Sequence, residues 1–128
     1  WARGFDEIQV ETNGTLPPPD EARGERLNIV CSPKTAKVNS LLKPWVNSLK
    51  YIIEAGQVDE EDGLPTSVLG SPIRPARPWD GFAGKIYVQP MDENDPVRNK
   101  ANIDAAVRSC LKHGYRLSLQ THKIIGVP

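Results

Sequence analysis

The segment from residue 85 to residue 119 constrains the fold most, because it predicts a strand, a helix and another strand in succession. Residues 85–89 (KIYVQ) form a short apolar run of the kind found in buried strands. Asp95 and the proline after it provide a cap and a first-turn residue for a helix, and Gly114 ends that helix. Residues 115–119 (YRLSL) form the second strand. A helical crossover of this length makes the two strands parallel, with a right-handed connection as the default.

One face of the predicted helix carries apolar residues at helical spacing. The positions recur at i, i+3, i+4, i+7 and i+8, and they are Ile103, Ala106, Val107, Cys110 and Leu111. This spacing is typical of a helix that buries one face in a core.

The first half of the chain contains three further strand patterns. Residues 5–12 (FDEIQVET), 27–31 (LNIVC) and 50–55 (KYIIEA) are short apolar or partly alternating runs, compatible with strands of the same parallel sheet. Residues 39–46 predict a short helix, limited in length by an internal proline. We interpret residues 1–128 as one α/β domain with mostly parallel strands.

Residues 57–83 differ in composition from the rest of the chain. They contain an acidic run at residues 59–62 and four prolines, which disfavour a helix: Pro65, Pro72, Pro75 and Pro78. A loop of this length is usually functional or disordered. Its interspersed apolar residues indicate that parts of it pack against the core.

The charge balance excludes some classes of partner. The chain has 16 Lys and Arg against 16 Asp and Glu, so its formal net charge is zero, which argues against a nucleic acid or a membrane surface held by bulk electrostatics. No apolar run approaches the roughly 18 residues of a membrane span. No leader pattern appears, and we expect a cytoplasmic protein whose Cys31 and Cys110 are reduced core thiols. The start at Trp1, without an initiator Met, suggests a chain cut inside a larger one.

Polar and charged residues follow every predicted strand. In parallel α/β folds, ligands bind at the carboxyl ends of the strands, because the loops there converge over one edge. The residues at these ends are, in chain order, Glu11, Thr12 and Asn13; Ser32, Pro33 and Lys34; Glu54; Gln89, Pro90, Met91 and Asp92; and Gln120, Thr121, His122 and Lys123. The sequence therefore predicts one shared polar site at this edge.

Each of these residues also has a purely structural interpretation. Lys34 is compatible with a solvated loop charge, His122 with a structural histidine, Gln89 with a strand cap and Glu11 with an exposed strand carboxylate. No spacing indicates a catalytic nucleophile, and neither a Gly-rich phosphate loop nor a basic patch with interleaved aromatics occurs. From the residues alone, the prediction is half of a parallel α/β barrel with a polar site at the strand ends.

Several segments resemble the C-terminal half of the 7-carboxy-7-deazaguanine synthase family, which are radical S-adenosylmethionine (SAM) enzymes of queuosine biosynthesis. The matching segments are VETNGT (10–15), SPK (32–34), KYIIEAG (50–56), IYVQPMDE (86–93) and RLSLQTHKIIGVP (116–128), in the same order along nearly the whole chain. The resemblance implies the C-terminal part of a partial, TIM-like (β/α) barrel of the radical SAM type.

The resemblance also implies cofactors and a reaction. Three cysteines near the N-terminus of such enzymes hold a [4Fe–4S] cluster, and SAM binds to its fourth iron and is cleaved to a 5′-deoxyadenosyl radical. The family converts 6-carboxy-5,6,7,8-tetrahydropterin into 7-carboxy-7-deazaguanine, with ring contraction and loss of ammonia, assisted by Mg²⁺. The implied partners are this small pterin substrate and a second copy of the chain.

Residue by residue, the resemblance assigns two SAM-binding segments and two substrate contacts. The cofactor-binding residues are Ser32, Pro33 and Lys34, together with Gln89, Pro90, Met91 and Asp92. The substrate contacts are His122 and the terminal carboxylate at Pro128. An alternative is that the tail after His122 only packs against the barrel or a partner.

The chain departs from the family pattern because it lacks the three-cysteine motif and the Gly-rich segment that contacts the methionine part of the cofactor. We therefore expect no catalytic residue and no metal ligand within the 128 residues, and no turnover by this polypeptide alone. Two other interpretations stay open. One is a radical SAM activase that makes a glycyl radical on a protein partner; the other is a non-catalytic α/β binding module.

Overall fold

A computed structural model describes residues 8–18, 27–68 and 71–119 of the chain. These residues form a five-stranded sheet in which the strands follow chain order from one edge to the other. All four pairs of neighbouring strands are parallel. The elements are β1 (Ile8–Thr12), β2 (Leu27–Cys31), β3 (Val46–Ile53), β4 (Lys85–Pro90), α1 (Pro96–His113) and β5 (Arg116–Leu117).

The predicted βαβ unit is confirmed. Asp95 caps α1, since its Oδ1 accepts hydrogen bonds from the backbone N–H of Val97 (3.0 Å) and of Arg98 (3.3 Å). Gly114 ends the helix in a left-handed conformation (φ 78°), which a residue with a side chain adopts only with strain. The α/β class and the parallel sheet follow the sequence prediction, although β5 is shorter than residues 115–119.

The buried face of α1 is rotated from the predicted one. The buried positions of the helix are Asn102, Ala105, Ala106 and Ser109, whereas the predicted Leu111 is 83% exposed. Small side chains line the contact, which allows the helix to approach the sheet closely, while the larger aliphatic residues lie at its flank. The predicted stripe was therefore wrong in part, since spacing alone does not show which flank is covered.

The prediction for residues 39–55 was also wrong in part. Instead of a helix over 39–46 there is one 3₁₀ turn, Lys43–Trp45, because Pro44 has no N–H to continue a helix. β3 then begins at Val46, four residues before the predicted start, and it ends at Ile53. The register between β2 and the first residues of β3 is irregular, with a shift between Ile29 and Val30 of β2.

The core lies between α1 and one face of the sheet, with contributions from residues 57–83. Leu49, Ile53 and Val88 are fully buried on the sheet, and Ala105 and Ala106 of α1 belong to the same cluster. Both cysteines are unpaired thiols, as predicted. Within the described residues, no helix combines the length and the apolar character that crossing a membrane requires.

The described part of the 57–83 loop is ordered and packed. Leu64 is 1% exposed and Ala76 is 7% exposed within the core. The buried hydroxyl of Tyr51 donates to the Ala76 carbonyl at 2.7 Å, and burial raises the pKa of that hydroxyl well above its ordinary value. The loop is therefore held against the sheet, as its apolar residues predicted.

Candidate functional site

A small cavity lies at the carboxyl ends of the central strands. Its volume is about 150 Å³, and its wall includes Pro33 and Lys34 after β2, Glu54 after β3 and Met91 after β4. Gln57 and residues between 65 and 75 complete the wall from the side of the long loop. Two of the segments that the sequence placed at a common edge, SPK and QPMD, thus contribute to one cavity.

The segment after β2 is fixed by the end of β1. The Ser32 N–H donates to the Thr12 carbonyl at 2.8 Å, and the Lys34 N–H donates to the Asn13 carbonyl at 3.4 Å. Gly14 makes this arrangement possible. Its φ is +89°, and a Cβ placed there would lie 3.0 Å from the Cys31 sulfur, closer than almost any side chain permits.

The segment after β4 is fixed by β3 and by the first turns of α1. The Met91 N–H donates to the Ile53 carbonyl at 2.8 Å. Asn99 binds the loop through both ends of its amide: its Nδ2 donates to Asp92 Oδ1 (2.9 Å), and its Oδ1 accepts from the Glu93 N–H (2.7 Å). Hydrogen bonds to β3 and α1 therefore hold the loop that carries Met91 and Asp92 in place.

The face of the sheet opposite α1 carries polar side chains. Residues that pair in register across parallel strands project to the same side, and side chains alternate along each strand. Lys50, Tyr87 and Arg116 form one row across β3, β4 and β5. Ile52 and Gln89 form the next row, toward the carboxyl ends. The predicted ligand Gln89 therefore lies on this polar face, where it is 6% exposed.

Lys50 connects the polar face to the cavity. Its ammonium group lies 3.6 Å from a carboxylate oxygen of Glu11 on β1, and Lys50 is also one of the residues that line the cavity. Lys34 and Lys50 thus bring two cations to one wall, with the Glu54 carboxylate beside them. This donor set suits a ligand that carries both a carboxylate and hydrogen-bonding groups.

The roof of the cavity is the part of its wall formed by Pro65, Ser67, Val68, Ser71 and Pro75. An ionic network around Asp62 holds the loop that carries it. Arg77 Nε lies 2.8 Å from Asp62 Oδ2, and Arg77 also donates to the Pro75 carbonyl at 3.0 Å. Arg74 lies 2.8 Å from Asp59. A hydrogen bond from the Glu61 N–H and the bond from Arg74 hold the pKa of the Asp59 carboxyl below its usual range. The Tyr115 hydroxyl donates to the Asp62 carbonyl, which ties the loop to the start of β5.

A second, larger cavity lies between α1 and the loop after β3. Its volume is about 370 Å³, and charges of both signs line it, including Asp59, Glu60, Arg108 and Lys112. Lys112 Nζ donates weakly to the Glu60 carbonyl at 3.4 Å. None of the residues predicted to bind a ligand lines this second cavity. Its larger volume alone therefore does not make it the candidate site.

The predicted site residues differ in their surroundings. Pro33 is buried, Ser32, Pro90 and Met91 are half-buried, and Lys34 and Asp92 are exposed. His122 and Pro128 lie outside the described residues. Within the described ranges, no group of three His, Cys, Asp or Glu side chains is arranged to hold a metal ion.

The sequence did not identify two groups that the structure brings to the cavity. Lys50 was interpreted only as the first residue of a strand, and Gln57 only as part of a loop. Along β3, Ser48, Lys50 and Ile52 project to one face, and Leu49, Tyr51 and Ile53 project to the other. Once β3 is known to begin at Val46, this alternation places Lys50 on the polar face.

Comparison with known proteins identifies relatives of the whole chain. It is 40% identical over 132 aligned positions to the 7-carboxy-7-deazaguanine synthase of Rhodospirillum rubrum, an alignment that covers 98% of the chain and 55% of the relative. The chain is homologous to about half of a 7-carboxy-7-deazaguanine synthase. Proteins of the same name from Rickettsia prowazekii (34% identity, 94% of the chain, 47% of the relative) and Bordetella pertussis (36%, 99% and 49%) show the same relationship.

The chain spans about half the length of the curated relatives it matches, which agrees with the expected resemblance to one half of these enzymes. No protein-family model matches the chain. No solved structure matches it either. The relationship therefore rests on the curated sequences.

Proposed function

We propose that this chain forms the part of a 7-carboxy-7-deazaguanine synthase that binds SAM at the carboxyl ends of its strands. The observation that carries the proposal is the similarity, over nearly the whole chain, to five curated relatives that all bear this name. The convergence of SPK and QPMD residues on one cavity supports it. The proposed reaction is conversion of 6-carboxy-5,6,7,8-tetrahydropterin into 7-carboxy-7-deazaguanine, with ring contraction and loss of ammonia.

The residues of the cavity fit part of the SAM molecule. A volume of about 150 Å³ is below the ~300 Å³ at which pockets for whole cofactors begin, so the cavity holds one portion of the ligand. We assign the carboxylate of the methionine portion to Lys34 and Lys50, because they are the cations of the cavity wall. We assign the ammonium or ribose hydroxyls to Glu54 and Gln57. Gln89, on the adjoining polar face, would contact the remainder.

The metal cofactors fit less well to the described residues. Cys31 is fully buried in the core, and burial raises the pKa of its thiol to about 11, so it is a poor metal ligand. No described cluster of acidic or histidine side chains offers a Mg²⁺ site. We therefore assign neither the [4Fe–4S] cluster nor Mg²⁺ to the described residues.

SAM supplies radical chemistry when it is bound beside such a cluster. The residues described here would bind and orient it: the backbone of the SPK segment is fixed by β1, and Met91 is fixed by β3 and α1. The roof loop would keep water from the ligand. Under this proposal His122 and the Pro128 carboxylate contact the pterin, and two copies of the chain form a homodimer.

The test uses the product of the complete reading frame that encodes this chain, purified without oxygen and reconstituted with iron and sulfide. Incubation with SAM, a reductant, Mg²⁺ and the tetrahydropterin should give 7-carboxy-7-deazaguanine, detected by mass spectrometry. Lys34→Ala should raise the Kd for SAM, whereas Lys100→Ala on the exposed side of α1 should not. Absence of product from a protein that binds a cluster and SAM would exclude this substrate. The 128-residue chain alone should give no product, and any product from it would contradict the expectation that it holds no cluster of its own.

A further inference from the structure

Asn102 is a buried amide in the middle of α1, where the helix otherwise presents small residues to the sheet. It is 1% exposed. A buried amide without hydrogen-bond partners strongly destabilises the folded state in apolar surroundings. An aliphatic side chain of similar size would pack there without that penalty. The presence of Asn therefore requires an explanation from its partners.

The partners of Asn102 are the chain segments that leave β3 and β4. Its Oδ1 accepts from the Ala55 N–H at 2.8 Å. Its Nδ2 donates to the Met91 carbonyl at 3.0 Å and to Glu93 Oε2 at 2.8 Å. Both amide protons and one acceptor position are used. One side chain therefore holds two loops, at Ala55 and at Met91, that are far apart along the chain.

Both loops contribute to the cavity wall. Glu54 precedes Ala55 directly, and both Glu54 and Met91 line the cavity. The sheet register pairs Ile53 with Pro90, but beyond these residues the strands end. The Met91 N–H still bonds to the Ile53 carbonyl; the Ala55 N–H and the Met91 carbonyl both depend on Asn102. The spacing between Glu54 and Met91 is therefore set by the Ile53–Met91 backbone bond on one side of Glu54 and by the Asn102 amide on the other.

We infer that Asn102 is a positioning residue of the strand-end cavity, holding the Glu54 and Met91 walls at the separation that SAM requires. The inference rests on the proposed function only in the choice of SAM as the ligand. Asn102 does not line the cavity, so it acts through the backbone of both loops and not by contact with the ligand.

Two substitutions separate its bonds. Asn102→Ala removes all three hydrogen bonds. Asn102→Asp keeps an oxygen for the Ala55 N–H but places a carboxylate against the Met91 carbonyl and the Glu93 carboxylate, so that the β4 connection is lost at neutral pH. Ala105→Gly is the matched control, since it weakens the same helix at a residue that lines the second cavity beside Ala55, yet it removes none of the three hydrogen bonds.

The affinity experiment uses the product of the complete reading frame and SAM alone as the probe, in equilibrium dialysis. We expect both Asn102 variants to raise the Kd for SAM at least tenfold at pH 8, and Ala105→Gly to raise it less than twofold. The Asp variant should recover affinity at pH 5.5, relative to the unsubstituted protein, because a protonated carboxyl again donates to a β4 acceptor; the Ala variant should not recover. Equal effects of Asn102→Ala and Ala105→Gly would overturn the inference, as would an unchanged Kd in both Asn102 variants.

A ligand-free experiment keeps the inference separate from the proposed function. Amide hydrogen exchange should show faster exchange at Ala55 in Asn102→Ala but not in Asn102→Asp, while Ala105→Gly leaves the Ala55 rate unchanged. If the unsubstituted protein binds no SAM, the proposed function fails, and the Ala55 exchange rate still decides whether Asn102 holds the loop. Unchanged protection of Ala55 in Asn102→Ala would overturn the inference whatever the protein binds.

Discussion

Two arginines beside the roof of the cavity, three residues apart in the sequence, should differ widely in how much they contribute to the free energy of unfolding. Arg77 has a side chain that is 19% exposed and lies 2.8 Å from Asp62, and it donates to the Pro75 carbonyl at 3.0 Å. Arg74 is 50% exposed, and it pairs with Asp59 at 2.8 Å and with Asp62 at 3.5 Å. Arg77→Ala should therefore destabilise the protein far more than Arg74→Ala.

The magnitudes follow from the geometry. Hydrogen bonds to charged groups contribute about 1.5–3 kcal/mol each when they are shielded from water. Arg77 makes two of good length, and the residual exposure of Asp62 reduces their sum, so we expect a loss of about 3 kcal/mol. Arg74 is more exposed than Arg77, so water screens its ion pairs more strongly and their loss should cost less. Arg77→Lys keeps the charge without the planar fork and should recover less than half of the loss.

The assay is urea-induced unfolding followed by far-UV circular dichroism, with the free energy of unfolding extrapolated to water for the unsubstituted protein and the three variants. Comparable losses for Arg77→Ala and Arg74→Ala would refute the description of Arg77 as the shielded centre of the loop. Full stability in Arg77→Lys would show that charge alone suffices and that the forked contacts do not matter.

Other predictions test separate parts of the structure. Gly14→Ala should cost about 2 kcal/mol of stability, because its φ is +89° and the new Cβ would press on the Cys31 sulfur; chemical denaturation measures this, and an unchanged midpoint would contradict it. Burial raises the pKa of the Cys31 thiol from 9.0 to about 11, so the folded protein keeps a proton that the unfolded chain loses. The stability gained from this difference is complete below pH 9 and is lost as the pH rises to about 11, by roughly 2 kcal/mol; subtracting the pH profile of Cys31→Val isolates it, and parallel profiles would disprove it. Asp95→Ala should remove the cap of α1 and lower stability by about 1 kcal/mol, while Asp95→Asn retains most of it; equal losses in the two variants would assign the effect to charge instead.

Much of the fold was predictable from the sequence because local signals and tertiary structure agree. Asp95 and Gly114 mark the ends of α1 chemically, and residues 27–31 form β2 as expected. Where the prediction was wrong, a long-range contact decided the outcome. The start of β3 at Val46 depends on pairing with β2, which no local pattern reveals.

The candidate site was predictable in its location and less so in its members. Strand ends can be read from the sequence, so Lys34 and Met91, which line the cavity, were among the predicted residues. Lys50 was not, because its position depends on the exact start of β3. Asn102 was not found either, since an Asn in a helix becomes informative only when its burial is known. A polar residue in line with Ala105, Ala106 and Ser109 is nevertheless the pattern to look for in related chains.

The two faces of the sheet separate residues that keep the protein folded from residues free to specialise. Along β3 after the register irregularity, odd-numbered positions 49, 51 and 53 belong to the core, and the even-numbered positions from Ser48 onward point to the opposite side. Along β4 the parity is reversed, with Val88 in the core and Gln89 facing away from it. In a saturation mutagenesis library, the amount of protein in the cell should therefore depend mainly on the core-facing positions of each strand. A selection for enzyme activity should depend mainly on the positions that face away from the core. A relative with a new substrate could arise by changing only the second set, leaving the scaffold intact.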